Sequence, residues 1–322
     1  MAEPTPAQRS ARVHAIAGGL GFDLVGVAPT SVPQAFERYA RQMAAGYGAE
    51  MGWLHERPQL RRDVRAVWAR ARSVIVVGVG YASQVPGYLA SPPAADEGWI
   101  ARYAQGRDYH AYVRKLLVRF AKALAADPLL GAGGDSRDHR VFTDTGPVLE
   151  KAFAQAAGLG WIGKNTLLIH RGGGSWYLLG VVLTPLALAP DTPETDHCGA
   201  CRRCLDVCPT GALVEPYVLD ARRCIATWTI ESPDPAAVID PEAVGQHVFG
   251  CDLCQEVCPH NHRPASTSHA PLAPRPQNVR PKLAELAGLD EAAFKARFPN
   301  SAVRRVTASR MSAVVDAIRG RK

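Results

Sequence analysis

Cys198-Gly-Ala-Cys201-Arg-Arg-Cys204-Leu-Asp-Val-Cys208-Pro209 and Cys251-Asp-Leu-Cys254-Gln-Glu-Val-Cys258-Pro259 are the stretches that decide how this chain is built. Together with Cys224, which lies between them, they hold all eight cysteines. Eight thiolates are what two [4Fe–4S] cubes require, and the first run has the spacing of bacterial two-cube proteins. Three cysteines three residues apart wrap a tight loop around one cube, while the cysteine before proline points towards its neighbour. On that logic Cys198, Cys201, Cys204 and Cys258 hold one cluster. Cys208, Cys251 and Cys254 hold the other, with Cys224 replacing the triplet cysteine that the second run lacks.

Other uses of cysteine fit less well. Paired CxxC ligands bind structural zinc, but zinc needs neither a third cysteine nor a Cys-Pro ending. A disulfide framework suits a short secreted chain; this one has 322 residues, and MAEPTPAQRS at its start lacks the apolar region of a signal peptide. No run of apolar residues is long enough to span a bilayer. Thiolates and clusters then indicate a reducing, cytoplasmic setting, with no membrane association and a monomer as the default. The chain carries a net charge of +7 with a pI near 9.1. Arg57, Arg61, Arg62, Arg65, Arg70 and Arg72 face only Glu56 and Asp63 in one stretch, and the segment from Glu291 to Lys322 is likewise basic. A polyanion would exploit such patches through phosphate contacts, although arginine-rich surfaces also arise without a nucleic-acid partner.

Outside the cysteines the pattern is α+β. Residues 7–19, 34–45 and 108–126 read as helices, the last from apolar residues at helical spacing (Val113, Leu116, Leu117, Phe120, Leu124). The β-branched run 73–79 reads as a central strand, with further strands at 22–27 and 140–143. Pro147 suits the first position of a helix running to Ala157 and ended by Gly158. Residues 167–170 and 176–184 read as paired strands, and 281–287, 291–298 and 306–319 as a short helical tail. Six prolines from Pro259 to Pro281 suggest a stiff, unpacked connector. Three units follow: 1–190, 191–265 and 266–322. Gly78-x-Gly80 continues neither to a third glycine nor into a helix, and no GxxxxGK[ST] occurs, so no nicotinamide or nucleoside triphosphate site is evident.

Arg102-Tyr103-Ala104-x-Gly106-x-Asp108-Tyr109-His110 is followed by Phe142-x-Asp144-x-x-Pro147-Val148-x-Glu150. Next come Ala157-Gly158-Leu159-Gly160-Trp161-Ile162-Gly163-Lys164-Asn165-Thr166 and Gly174-Ser175. With the cysteine runs, this order closely resembles the epoxyqueuosine reductase family, the cobalamin-dependent enzymes of queuosine tRNA modification. The resemblance implies a nitroreductase-like cobalamin-binding domain, then a ferredoxin-like domain with two [4Fe–4S] clusters. The implied substrate is epoxyqueuosine at the wobble position of tRNA anticodons, reduced to queuosine with electrons from an external low-potential carrier of ferredoxin or flavodoxin type. Converting an epoxide to an alkene with loss of water takes two electrons and two protons. The resemblance implies that the clusters reduce cob(II)alamin to cob(I)alamin while an acid protonates the departing oxygen; the cofactor performs the hard redox chemistry and the protein supplies placement and protons.

Asp144 matches the family's proton donor. An aspartate near 3.9 is a poor acid at neutral pH, so its pKa is expected to rise by burial against the corrin. Asx-turn or cap formation beside Pro147 is the plain structural use of the same residue. Tyr103, Asp108 and His110 form a polar, aromatic group suited to the corrin or the base, with helix capping by Asp108 as the alternative. Gly163, Lys164, Asn165, Thr166 and Ser175 are expected to bind the cofactor, and Arg61 to reach cofactor or tRNA phosphates. Lys151 stands where the family is associated with arginine, which loses a bidentate fork. Many members also continue into HEAT-like repeats; here either the basic tail suffices to hold tRNA, or tRNA affinity is weaker and more salt-sensitive. A related small-molecule reductase of the dehalogenase kind is the second reading. A plain electron carrier is the third, and it leaves the motifs around Asp144 and Gly160–Thr166 unexplained.

Overall fold

Ser73–Gly80 is buried along almost its whole length, as a strand covered on both faces must be. In the computed structural model, which describes residues 3–131, 134–262, 264 and 266–320, it is strand β2 of a four-stranded antiparallel sheet. The other strands named here are β1 (Leu24–Ala28), β3 (Trp99–Ile100), β4 (Arg140–Phe142), β5 (Trp161–Ile162), β6 (Leu168–Ile169), β7 (Tyr177–Thr184), β8 (Leu213–Glu215), β9 (Val218–Leu219) and β10 (His247–Phe249). The sheet order is β1-β2-β7-β4. Ile75, Val77 and Val79 pack on one face with Val113, Leu117 and Phe120 of helix Tyr109–Ala126. Val74 and Val76 pack on the other with Phe153 of helix Glu150–Ala156. The alternation along β2 thus joins two apolar layers. Asp108 caps the first of these helices by accepting from the His110 N–H, as its sequence position suggests.

Three readings of the sequence need correction. The helix after Pro147 starts at Glu150, because Asp144 adopts a left-handed φ of 62° and its N–H donates to the Glu150 carboxylate at 2.8 Å. The turn is tied down before the helix begins. Residues 167–170 and 176–184 do not pair with each other beyond an isolated His170–Gly174 bridge. Both edges of β7 are taken by β2 and β4, so β6 pairs instead with β5. The close approach of β5 to β6 needs Gly160, whose φ is 147° and whose added Cβ would lie 2.1 Å from the Ile169 carbonyl oxygen. Gly160→Ala is therefore expected to cost at least about 1–3 kcal/mol, read as a lowered unfolding midpoint.

The third correction concerns the proline-rich connector, which packs. Leu272 and Asn278 are 2% and 1% exposed. The Thr267 N–H donates to the Ala82 carbonyl at 2.8 Å, and the Pro271 carbonyl accepts from the Arg107 N–H at 2.9 Å. The connector's short turns at Ala270–Leu272 and Pro276–Val279 satisfy only part of its backbone, and the rest is satisfied on the chain it crosses, at residues 80–82 and 105–107. Parallel pairing of β10 with β3 (His247 with Trp99), in a separate two-stranded sheet, likewise ties the cysteine region to the front part of the chain. The domain limits at residues 1, 265 and 322 lie outside the described residues.

Candidate functional site: a two-cluster centre and its cleft

The eight cysteines are all free thiols, and they sort into two sets. Cys198, Cys201, Cys204 and Cys258 line one small, partly open cavity. Electrostatic coupling joins Cys204 to Cys198 and Cys258, and Cys258 also to Cys201. The second set is joined the same way: Cys254 to Cys224 and Cys208, and Cys251 to Cys254 and Cys224. Burial pushes the Cys204 thiol up to about 11 and Cys251 well above its ordinary value. Buried thiols so reluctant to ionise become ligands where metal cations take the place of their protons, so the donor set fits iron–sulfur cubes. The two sets differ in depth. Cys224, Cys251 and Cys254 lie among more protein atoms than Cys198 and Cys204, although all five are half-buried and keep some solvent access. Cys254 also couples to Cys204, and Asn165, which lines the outer cavity, donates to the Cys254 carbonyl at 3.2 Å.

Next to the inner set lies a polar cleft. His110 Nδ1 donates to Asp108 Oδ1 at 2.8 Å, and Nε2 donates to Asp144 Oδ2 at 3.0 Å. Hydrogen bonds to Asp108 and then Asp144 raise His110 to about 9, partly offset by burial. The same bond from His110 lowers the Asp144 pKa, against the opposing effect of burial. The expectation that burial raises Asp144 is therefore reversed: at neutral pH the imidazolium holds the proton and the aspartate is its ionised partner. The Tyr109 ring stacks on His110 with centroids 4.0 Å apart, and Tyr103 packs edge-on to Tyr109 at 5.9 Å.

Beneath Asp144, burial and then the Asp144 charge push Glu150 up to about 8. Lys151 is solvent-accessible yet surrounded by protein, which is how a side chain lining a deep cleft behaves. Burial lowers its pKa, while the charges of Cys254 and Glu150 act against that. Its Nζ donates to the Thr166 carbonyl at 2.8 Å. From the tail, Arg305 is held at 2.8 Å by Glu231, and its charge acts on Asp144 and Tyr103. Glu150, Glu231 and Arg305 carried no assigned role in the sequence reading. Glu150 had a signal, the motif Asp144-x-x-Pro147-x-x-Glu150; the other two had none, being brought in by tertiary packing.

Of the expected cofactor residues, Asp144, Tyr103 and Thr166 belong to the cleft, and Thr166 is left-handed at φ 64°. The other five make contacts within the protein. Arg61 is 7% exposed and donates to the Glu56 and Trp53 carbonyls, both at 2.8 Å. Ser175 is buried, its hydroxyl accepting from Gln255 and Asn261. Lys164 Nζ donates to the Gly199 and Cys201 carbonyls and so clamps the outer cysteine loop. Asn165 bridges the two cysteine sets as described. Gly163 lies in the β5–β6 turn, where its N–H donates to the Leu167 carbonyl.

Glu150 supplies a prediction. A carboxyl raised from 4.5 to about 8 keeps its proton in the folded state while the unfolded chain has lost it, so stability falls as pH rises from about 4.5 to 8. Glu150→Gln keeps an acceptor for the Asp144 N–H and removes the titration. Its unfolding midpoint is expected to fall less between pH 5 and pH 8 than that of the parent.

An antiparallel sheet carrying an acid–imidazole cleft, joined to two four-cysteine sets, defines an iron–sulfur reductase with a catalytic front domain. Residues 197–261 match the family model described as a 4Fe-4S double cluster binding domain. Residues 61–145 match the one described as "Epoxyqueuosine reductase QueG, DUF1730". The epoxyqueuosine reductase of Gloeobacter violaceus is 44% identical over 95% of this chain and 93% of its own. That of Synechocystis is 42% identical over 88% and 95%. A solved epoxyqueuosine reductase bound to an epoxyqueuosine-modified tRNA-Tyr stem loop superposes with a TM-score of 0.84 at 27% identity, covering 97% of this chain and 80% of that one. The chain belongs to the epoxyqueuosine reductase family.

Proposed function

We propose that this protein reduces epoxyqueuosine to queuosine at the wobble position of tRNA anticodons. The observation that carries the reading is the Asp108–His110–Asp144 line, a proton store facing a cleft whose other wall is Lys151, beside the inner cysteine set. The family implies cobalamin, and the chemistry of the residues gathered here suits a flat macrocycle rimmed by amides. Tyr103 offers an aromatic wall. Lys151 has donors beyond the one spent on Thr166, and Asp144 and Thr166 turn their backbones through left-handed φ at the rim. Tyr103, Asp144, Lys151 and Thr166 would hold the group there. When bound, cobalamin supplies reduced cobalt for two-electron chemistry on the epoxide.

The chain's own residues do the rest. Lys164 holds the outer cluster loop, and Asn165 spans from that cavity to the Cys254 backbone. His110 stores a proton on Nε2 and presents it through Asp144 to the oxygen leaving the substrate; proton transfer of this kind is worth about 10²–10⁴ in rate. Tyr109 fixes the imidazole by stacking. Arg305 places positive charge by Asp144 and Tyr103, where a polyanionic substrate enters. A base splayed from its loop is read by stacking and edge hydrogen bonds. Among the described residues no helix is long and apolar enough to cross a membrane, which supports action in the cytoplasm. The working unit is a monomer, fed by a low-potential ferredoxin or flavodoxin.

The test is anaerobic turnover. Protein with both clusters and corrin, supplied with dithionite and epoxyqueuosine-containing tRNA, is expected to yield queuosine on digestion of the RNA. No conversion by fully loaded protein would overturn the reading.

A further inference from the structure

The two cysteine sets differ in depth, and the difference has a direction. Cys224, Cys251 and Cys254 are half-buried but set deep among protein atoms, and Cys254 adjoins the cleft through Lys151. The outer loop is the reverse: Gly199, Ala200, Arg202 and Arg203 are all exposed. An external carrier therefore meets the outer set first, since electron transfer needs close approach and the outer cysteines sit on an exposed loop while the inner ones lie deeper.

The charges around that loop favour one sign. Each nearby carboxylate is already committed: Glu194 to His197 at 2.9 Å, Asp206 to Arg202 at 3.7 Å, and Asp196 to the Tyr217 hydroxyl and the Cys198 N–H. Arg171 acts on Glu194, and the Arg223 guanidinium lies by Gly211 in the turn after Cys208. Arg171, Arg203 and Arg223 are exposed, and among the described residues none is within an ion pair. Unspent charge at this rim is positive.

Resting on the proposed function, we infer that the exposed loop Cys198–Cys204 and its arginine rim (Arg171, Arg203 and Arg223, with Arg202 beside them in its exposed pair with Asp206) form the docking face for a small acidic one-electron carrier protein. The carrier's acidic surface meets the rim. One electron passes from the reduced carrier, which is oxidised, to the outer cluster, which is reduced, and no bond forms or breaks. Complementary charge of this kind acts mainly on association rate and weakens with salt.

Two measurements test it. With the parent protein, the rate at which a reduced acidic flavodoxin bleaches the cluster absorbance is expected to fall steeply with added salt, whereas reduction by dithionite is not. In the double variant Arg171→Glu/Arg202→Glu, binding of oxidised flavodoxin, followed by calorimetric titration, is expected to weaken about 10-fold or more. Iron content and dithionite-driven tRNA turnover stay at the parent level. Unchanged flavodoxin binding, or a salt-independent bleaching rate, overturns the inference. So does a variant that loses tRNA affinity and keeps flavodoxin affinity, which would assign the rim to RNA. Should the variant lose iron, the parent's salt titration still decides. Failure of dithionite-driven turnover in the parent counts against the proposed function, not against the docking face.

Discussion

Asp144→Asn is expected to lower turnover by about 10²–10⁴ while corrin binding and iron content stay at parent levels. Asparagine keeps the size of the side chain, so the left-handed turn at φ 62° survives, and its N–H still reaches Glu150. What goes is the carboxylate that accepts from His110 Nε2. Asp144 is one of the two hydrogen-bond partners that raise His110 to about 9, so its removal lowers the histidine. The pH–rate profile separates this from a packing defect. In the parent, the proton store empties as pH rises through about 9, and the rate falls on that limb. In Asp144→Asn the residual rate is expected to break at lower pH. Stability follows the same group. A histidine raised from 6.5 to about 9 stabilises the fold fully below pH 6.5, and that contribution disappears as pH rises through 9. His110 and Asp144 both reach solvent, so the stability effect is smaller than the effect on rate. An unchanged rate in Asp144→Asn would remove this residue from proton delivery.

What could be read from the sequence, and what could not, divides along physical lines. The cysteine sets were legible because cube geometry imposes fixed spacing, and Cys198, Cys201, Cys204 and Cys258 line one shared cavity in the structure. The central strand and the helix Tyr109–Ala126 were legible because two-sided burial and helical periodicity leave continuous and 3.6-spaced apolar patterns. The proline strap was misread because composition records stiffness but not the partner it lies on: Leu272 is buried by Gly106, 166 residues earlier in the chain. Asp144 was found as a residue but not as a charge state. Burial alone argues for a raised pKa, and only the structure places an imidazole at 3.0 Å to reverse the sign. The backbone and side-chain partners of Arg61 and Ser175 were out of reach for a related reason. A polar side chain in a motif is equally a backbone clamp or a ligand donor until its hydrogen bonds are known.

The second large effect concerns Cys224, the one ligand with no place in either cysteine run. If it completes the inner set, Cys224→Ala removes one of four thiolates from an enclosed cube and leaves the outer four untouched. Iron is then expected to fall from about eight to about four per chain, the stoichiometry of one cube in place of two. Dithionite-driven tRNA turnover is expected to fall below detection, because no electron relay remains between the outer set and the cleft. The outer cluster of this variant still bleaches with dithionite, which shows that the loop Cys198–Cys204 is folded. Cys198→Ala makes the converse case. It costs the same iron but removes the exposed cluster, so reduction by a protein carrier is lost, while a small reductant that penetrates to the inner cluster sustains some turnover. Equal loss of turnover in both variants with dithionite would mean that depth does not order the two clusters. A Cys224→Ala protein retaining eight irons would mean that another group closes the inner cube.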